Sequence, residues 1–259
     1  MMQYGVQTFT VRKAQRKGLS AAYLPLAALG ISRLEVARID FTKENAIALK
    51  EICEQTGLEI ASIQVKPKYI FGDARGVINF CHAVGCRCAV ISMLPFDCIF
   101  GGDLRFYRFV DSLDAMAEAY EKEGITLAYH HHNWEYLCLH SGERRMDVLL
   151  SRTKKIKFVH DTYWAARSGI PPEKQIAAFG DRLIGVHLRD LALKKRGLRV
   201  LCRDGAIGDG VIDFSAVLSA VADRDCYLVI EQNSKDPYRD IERSLAALQK
   251  IESAGNERK

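Results

Sequence analysis

The amino-acid sequence predicts an α/β protein folded as a single (β/α)₈ barrel. Three observations point there. Eight short apolar runs alternate with stretches of helical period. Four of the helical stretches stop at a glycine (Gly30, Gly57, Gly85 and Gly124), a residue suited to the left-handed backbone of a helix end. The runs are continuously apolar, as strands of a parallel sheet buried on both faces must be. Eight such units in about 250 residues match a closed barrel. An open doubly wound sheet is the alternative, but no GxGxxG turn follows the first run.

In chain order, Gln3 to Gln7 is the first strand, followed by a helix carrying Leu19, Tyr23, Leu26 and Leu29. Leu34 to Ala37 is the second, before a helix with Ala46, Leu49, Ile52 and Cys53. Leu58 to Val65 is the third, before Val77, Ile78, Phe80 and Cys81. Cys88 to Met93 is the fourth, leading to a long amphipathic helix over Asp103 to Glu123 with Phe106, Phe109, Val110 and Leu113 on one face. The fifth run starts at Ile125 and ends in His130-His131-His132, with a short helix at Met146 to Leu150. Ile156 to Val159 and Leu183 to Leu188 are the sixth and seventh, separated by a helical piece after Pro171-Pro172. Phe214 to Val221 forms a helix before the eighth strand, Tyr227 to Ile230, and Ile241, Leu245, Leu248 and Ile251 mark the closing helix. With no linker or repeat, residues 1–254 read as one domain and 255–259 as a frayed tail.

Composition bounds the function classes. The chain has 259 residues, 48% hydrophobic and 27% charged, with net charge +5. Its cations are scattered except for Lys194 to Arg203, which reads as a solvated loop and, as a second reading, as a holder for an acidic group at the barrel mouth. Nucleic acid is not an expected partner. No run approaches the roughly 18 apolar residues of a membrane span, and no secretory leader precedes the first strand, so a reducing, cytoplasmic setting with eight free cysteines is expected. Cys86-Arg87-Cys88 lacks the CxxC spacing of a zinc or redox pair.

In such a barrel the reactive groups lie where strands meet the loops that follow. The strand ends here are polar: Gln7, Glu35, Gln64, Ser92, the His130–His132 triplet with Glu135, His160-Asp161, His187 and Glu231. Placing polar groups after apolar strands is costly unless they converge on water, a ligand or a metal. Asp161, His187 and Glu231 follow three successive strands, and a mixed carboxylate–imidazole set suits a divalent ion.

These residues resemble a known family. Tyr4-Gly5-Val6-Gln7-Thr8-Phe9-Thr10-Val11-Arg12, Tyr129 to Tyr136, His160-Asp161-Thr162-Tyr163-Trp164, His187-Leu188-Arg189-Asp190, Ile207 to Phe214 and Ile230-Glu231-Gln232 are similar, in order, to segments of the sugar phosphate isomerase/epimerase family. Those xylose isomerase-like barrels include tagatose 3-epimerase-like enzymes, inosose dehydratase, hydroxypyruvate isomerases and, more distantly, endonuclease IV. The resemblance implies one divalent metal held by strands five to eight, with Asp161, His187 and Glu231 in the last three positions. For the strand-five position Glu135 is favoured over a histidine of the triplet, because His130 stands where many relatives carry Glu. Mn²⁺ is the expected ion, with Mg²⁺, Co²⁺ or Zn²⁺ as alternatives. His130, Trp164 and Arg189 are expected to touch substrate.

The chemistry such a site supports is proton movement beside a carbonyl, through an enediolate stabilised by the metal. Glu231 and His132 are the expected proton-handling pair. The expected activity is sugar isomerisation or epimerisation on a small-molecule substrate. A dehydratase acting on an inosose-like or 3-keto sugar and a non-catalytic metabolite-binding barrel are the alternatives. The exposed face of the Asp103–Glu123 helix allows a homo-oligomer without requiring one.

Overall fold

The computed structural model describes residues 2–196 and 199–256. Eight parallel strands close a barrel: β1 (Tyr4–Gln7), β2 (Arg33–Val36), β3 (Glu59–Val65), β4 (Cys88–Ile91), β5 (Thr126–His130), β6 (Lys157–Asp161), β7 (Leu183–Leu188) and, after a hairpin, β10 (Tyr227–Ile230). Strand β1 pairs with both β2 and β10, which closes the circle. A helix follows every barrel strand: Leu19–Ala28, Lys43–Thr56, Ala74–Ala83, Asp103–Glu121, Arg145–Arg152, Pro172–Phe179, Phe214–Val221 and Pro237–Asn256. Thr42 caps the second of these through the Asn45 N–H at 3.2 Å, and Gly57 closes it with φ 74°. Short helices at Pro67–Gly72, Phe96–Phe100 and Thr162–Arg167 add to the loops beyond β3, β4 and β6.

The side-chain alternation of a strand divides each barrel strand between two cores. Outward residues such as Val6, Leu34, Ile63, Ile91, Tyr129 and Phe158 join the helices in one continuous cluster. Cys88, Val90, Ala128, Val159, Tyr227 and Val229 fill the barrel interior. Two residues further along several strands, the same inward face presents Ser92, His130, Asp161 and Glu231, so the apolar interior gives way to a polar layer at the barrel mouth.

Two glycines make this interior possible. A Cβ on Gly185 would lie 2.3 Å from the Tyr227 ring, and one on Gly5 would lie 2.5 Å from the Arg33 carbonyl oxygen. The second obstacle is backbone of the neighbouring strand and cannot swing aside. Gly5→Ala is therefore expected to prise β1 from β2 and lower stability by about 1–3 kcal/mol, measured by urea unfolding. A variant as stable as the parent would show that the seam has slack.

The cationic stretch Lys194 to Arg203, expected as a loop, is instead an antiparallel hairpin of β8 (Asp190–Arg196) and β9 (Arg199–Gly205); within it Gly197 and Leu198 lie outside the described residues. Its base is fixed by Asp190, whose carboxylate accepts the N–H groups of Leu191, Gly208, Gly210 and Ile212 at 2.8–3.2 Å. That anchor ties the hairpin to the turn before Phe214, so the segment extends outward as paired strands. The closing helix runs through Asn256, two residues into the stretch expected to fray; residues 257–259 lie outside the described part. No helix among the described residues is long and apolar enough to cross a membrane.

Candidate functional site

The polar layer converges on four buried residues. His130 ends β5, Asp161 ends β6, His187 lies on β7 and Glu231 follows β10. The parallel register sets them level: Asp161 pairs with His187, and the Glu231 N–H continues the ladder to the Leu188 carbonyl at 3.2 Å. One potential ligand atom from each lies within 4.8 Å of all the others.

His187 is the hub. Its Nε2 lies 2.6 Å from Glu35 Oε1, while its Nδ1 lies 2.9 Å from Glu231 Oε2 and 3.9 Å from Asp161 Oδ2. Glu35, fully buried on β2, is held by three neutral donors: Ser62 Oγ at 2.7 Å, Gln64 Nε2 at 2.9 Å and Tyr227 OH at 2.6 Å. Burial pushes the His187 pKa down, but Glu35 and Glu231 outweigh it and carry it up to about 10. Burial likewise raises Glu35, and the His187 charge and those donors reverse the shift, so its pKa ends low.

Arg189, the residue after β7, is the second buried cation. Its Nε and Nη2 donate to Asp204 Oδ2 on β9 at 2.8 and 2.5 Å, and its Nη1 donates to Glu231 Oε1 at 3.2 Å. Its guanidinium stacks over Tyr163 at 4.5 Å and Trp164 at 5.4 Å. Burial raises the Glu231 carboxyl, but Arg189 and His187 overcome that and keep it ionised. For Asp161 burial wins, and its pKa rises despite Arg189.

A fully buried histidine pair lies behind this cluster. His131 Nε2 accepts the Asp161 N–H at 3.1 Å and sits 3.0 Å from His160 Nδ1. Since Nε2 accepts, Nδ1 carries the proton, and it faces the His132 carbonyl at 3.3 Å. Burial, then the neighbouring imidazole, pushes His131 well down and His187 helps take His160 to about 3, so both stay neutral. The pair staples the end of β5 to the end of β6.

Above the cluster opens a cavity of about 420 Å³, lined among others by His130, His132, Trp164, Arg189 and Glu231. His132 is half-buried on its wall, 5.3 Å from Trp164 between ring centroids, and burial takes its pKa to about 4. The Trp164 indole N–H is buried without a partner.

Glu135, the expected strand-five carboxylate, lies elsewhere. The turn Trp134–Tyr136 folds it onto the outward face of β5, where Tyr129 OH donates to Oε1 and the His132 N–H donates to Oε2 at 2.8 Å. His130, on the inward face, stands with Asp161, His187 and Glu231 instead. Sequence reasoning named Glu35 and Gln64 as strand ends without giving them a task, and it did not single out Ser62, Tyr227 or Asp204. For Glu35 a signal existed: it is a lone carboxylate inside the apolar run Leu34 to Ala37.

A family model for xylose isomerase-like TIM barrels matches residues 23–251. The chain belongs to that family. Solved barrels share the fold at low identity. A sugar phosphate isomerase/epimerase from Parabacteroides distasonis superposes with a TM-score of 0.77 at 17% identity, covering 96% of this chain and 93% of its own. A probable 3-DHS dehydratase from Bacillus anthracis gives 0.75 at 12% identity, covering 96% and 99%. A D-tagatose 3-epimerase-like protein gives 0.72 at 15% identity, covering 99% of each chain. Curated proteins offer no match.

The donor set of this family member suits a divalent cation on its own evidence. His130 Nδ1 and Asp161 Oδ2 are buried without a hydrogen bond, and beside them His187 Nδ1 and Glu231 Oε2, also buried, face each other at 2.9 Å. Buried polar atoms left unpaired are costly, and four residues that each bring a ligand atom within 4.8 Å of the others suit a shared cation. Around them, the carboxylates of Glu35, Asp161, Glu231 and Asp204 outnumber the cations of His187 and Arg189.

Proposed function

We propose that this protein is a divalent-metal-dependent sugar isomerase or epimerase that moves a proton beside the carbonyl of a ketose or keto-sugar. The carrying observation is the buried quartet His130, Asp161, His187 and Glu231, with one potential ligand atom of each within 4.8 Å of the others, on the floor of a cavity large enough for a small sugar. These four residues would hold the ion, Mn²⁺ in the first instance. When bound, it supplies the positive charge that polarises a carbonyl and stabilises the negative charge left by proton removal.

The chain's own groups do the rest. His132, neutral at physiological pH and with its ring on the cavity wall, takes or returns a proton. Glu231, held ionised with its Oε1 on Arg189, is the second proton-handling group. Trp164 offers a flat face to a sugar ring and an indole N–H to a hydroxyl. Arg189, locked by Asp204, keeps its charge beside the reacting oxygens. Return of the proton to the neighbouring carbon isomerises; return to the opposite face epimerises.

The ligand reading makes a sharp comparison. His130→Ala is expected to lower metal affinity at least about 10-fold, whereas Glu135→Gln leaves it within about twofold, since Glu135 serves the loop through Tyr129 and His132. Metal content by mass spectrometry after dialysis separates the two. The reaction itself is tested by solvent-deuterium incorporation into a panel of ketoses. Exchange beside the carbonyl, abolished in Asp161→Ala, supports the proposal, and loss of a hydroxyl from the product would redirect it to a lyase. A protein that takes up no metal even with added Mn²⁺ would sink it.

A further inference from the structure

The metal-facing floor of the cavity is one half of a binding site; the opposite rim, built from the ends of β1 and β2, has a different character. Arg12 and Arg38 both stack on the ring of Phe9, with their guanidinium carbons 3.9 and 4.8 Å from its centroid. Two like charges stack on one aromatic ring, Arg38 lining the cavity and Arg12 bonded to Asn233 on its wall, and neither has a carboxylate partner within ion-pair distance among the described residues. Arg12 spends its donors on neutral acceptors, the Phe9 carbonyl at 2.9 Å and Asn233 Oδ1 at 2.8 Å. Arg38 makes no side-chain hydrogen bond among the described residues. Lys66, the residue after the neighbouring strand β3, also lines the cavity, and among the described residues it forms no ion pair, nor does Asp40 with any of the three cations.

The backbone goes to some trouble to hold Arg38 there. Its φ of 54° makes it the only described non-glycine residue in the left-handed region, a conformation that side chains disfavour and that persists only where surroundings impose it. The surroundings do so: Gln15 Nε2 donates to the carbonyls of both Ala37 and Arg38 at 3.0 and 2.9 Å, and the Ala37 N–H donates to Thr8 Oγ1 at 2.8 Å. Burial, then the neighbouring Arg38, weakens Arg12's hold on its proton, and the opposing pull of Glu231 and Asp204 offsets this only in part.

We propose that the Arg12–Arg38 pair on Phe9, with Lys66, is a subsite for an oxyanion carried by the substrate, so that the cavity takes an acidic polyol: carboxylate or phosphate at the β1–β2 rim, reacting carbons over the His130–Asp161–His187–Glu231 floor. Guanidinium groups match either oxyanion with paired donors, and an anion beside the pair offsets their mutual repulsion. This rests on the reading of the floor as the reacting end.

Three probes of one carbon skeleton test it on the full-length protein: glucitol, gluconate and glucitol 6-phosphate, titrated calorimetrically at millimolar concentration. At least one charged polyol is expected to bind about 10-fold or more tightly than glucitol. A preference confined to gluconate assigns a carboxylate, and one confined to glucitol 6-phosphate assigns a phosphate. Arg38→Gly should reduce the preference to within about twofold while unfolding at the same or a higher temperature, because glycine suits the left-handed backbone. Arg12→Gln provides a second removal of charge. Equal binding of the three polyols, binding of none, or a preference that survives in both variants overturns the proposal. Metal content of the same samples keeps the two readings apart. Metal without anion preference rejects the rim alone, and anion preference without metal rejects the floor chemistry while leaving the rim in place.

Discussion

His187→Ala is expected to strip the protein of bound metal and of turnover together, and to lower folding stability by about 3–5 kcal/mol. The stability loss does not come from a cavity. Glu35 and His187 are both fully buried, and their contact at 2.6 Å is the one charge partner Glu35 has among the described residues. Its other contacts, Ser62, Gln64 and Tyr227, are neutral donors. Removing the imidazolium leaves a carboxylate deep in the barrel, which must either stay charged and unpaired or take up a proton at neutral pH. Glu231 suffers less, because Arg189 remains on its Oε1. A second substitution isolates this account. Glu35→Gln on top of His187→Ala should recover most of the lost stability and none of the metal, since an amide can stay among those donors without charge. Urea unfolding of the four proteins in the cycle gives the coupling directly. A single-variant loss under about 1 kcal/mol would mean that Glu35 is neutral in the parent. Glu35→Gln alone is expected to keep the fold while weakening metal affinity by about 10–100-fold, the usual effect of losing the partner that orients a ligating histidine.

How far this site could be read in the sequence follows from what each part depends on. The barrel was legible because its signals are local: an apolar run, a helical period and a glycine repeat without reference to distant residues. Asp161, His187 and Glu231 were legible for the same reason, each being a polar residue at or near the end of a buried run. The choice between His130 and Glu135 was not local. It turns on whether the loop after β5 brings residue 135 inward or folds it back, and the turn at Trp134–Tyr136 sends it to Tyr129 on the outer face. The partnership of Glu35 with His187 was beyond reach too, since β2 and β7 are not neighbours in the sheet and meet only across the closed barrel. The hairpin of β8 and β9 was hidden by its charge. Lys194, Lys195 and Arg203 read as solvent-facing loop, while its base is decided by Asp190 gathering amides from eighteen to twenty-two positions further on.

Metal affinity should rise steeply with pH, by about 10-fold per pH unit from neutrality towards pH 10 and more steeply below pH 7. Without metal, His187 carries a proton up to about pH 10 because Glu35 and Glu231 flank it. An ion using His187 as a ligand must displace that proton, and one proton released per ion gives one decade per pH unit. Asp161, whose carboxyl is raised by burial, contributes a second proton at lower pH, which steepens the slope there. The metal-free fold responds in the opposite sense. Both groups have folded pKa values above their unfolded ones, so the stability that each contributes is fully present below its unfolded pKa and is lost as pH rises through the folded value. For His187 that window runs from the ordinary imidazole range, around pH 6.5, up to about pH 10. The thermal stabilisation gained on adding Mn²⁺ is therefore expected to grow between pH 6.5 and pH 9 while the metal-free melting temperature falls. Calorimetry of Mn²⁺ binding in buffers of different ionisation enthalpy counts the protons released at each pH. A count near zero at pH 7.5 would show that His187 is already neutral before the ion arrives, and that Glu35 and Glu231 do not hold it charged.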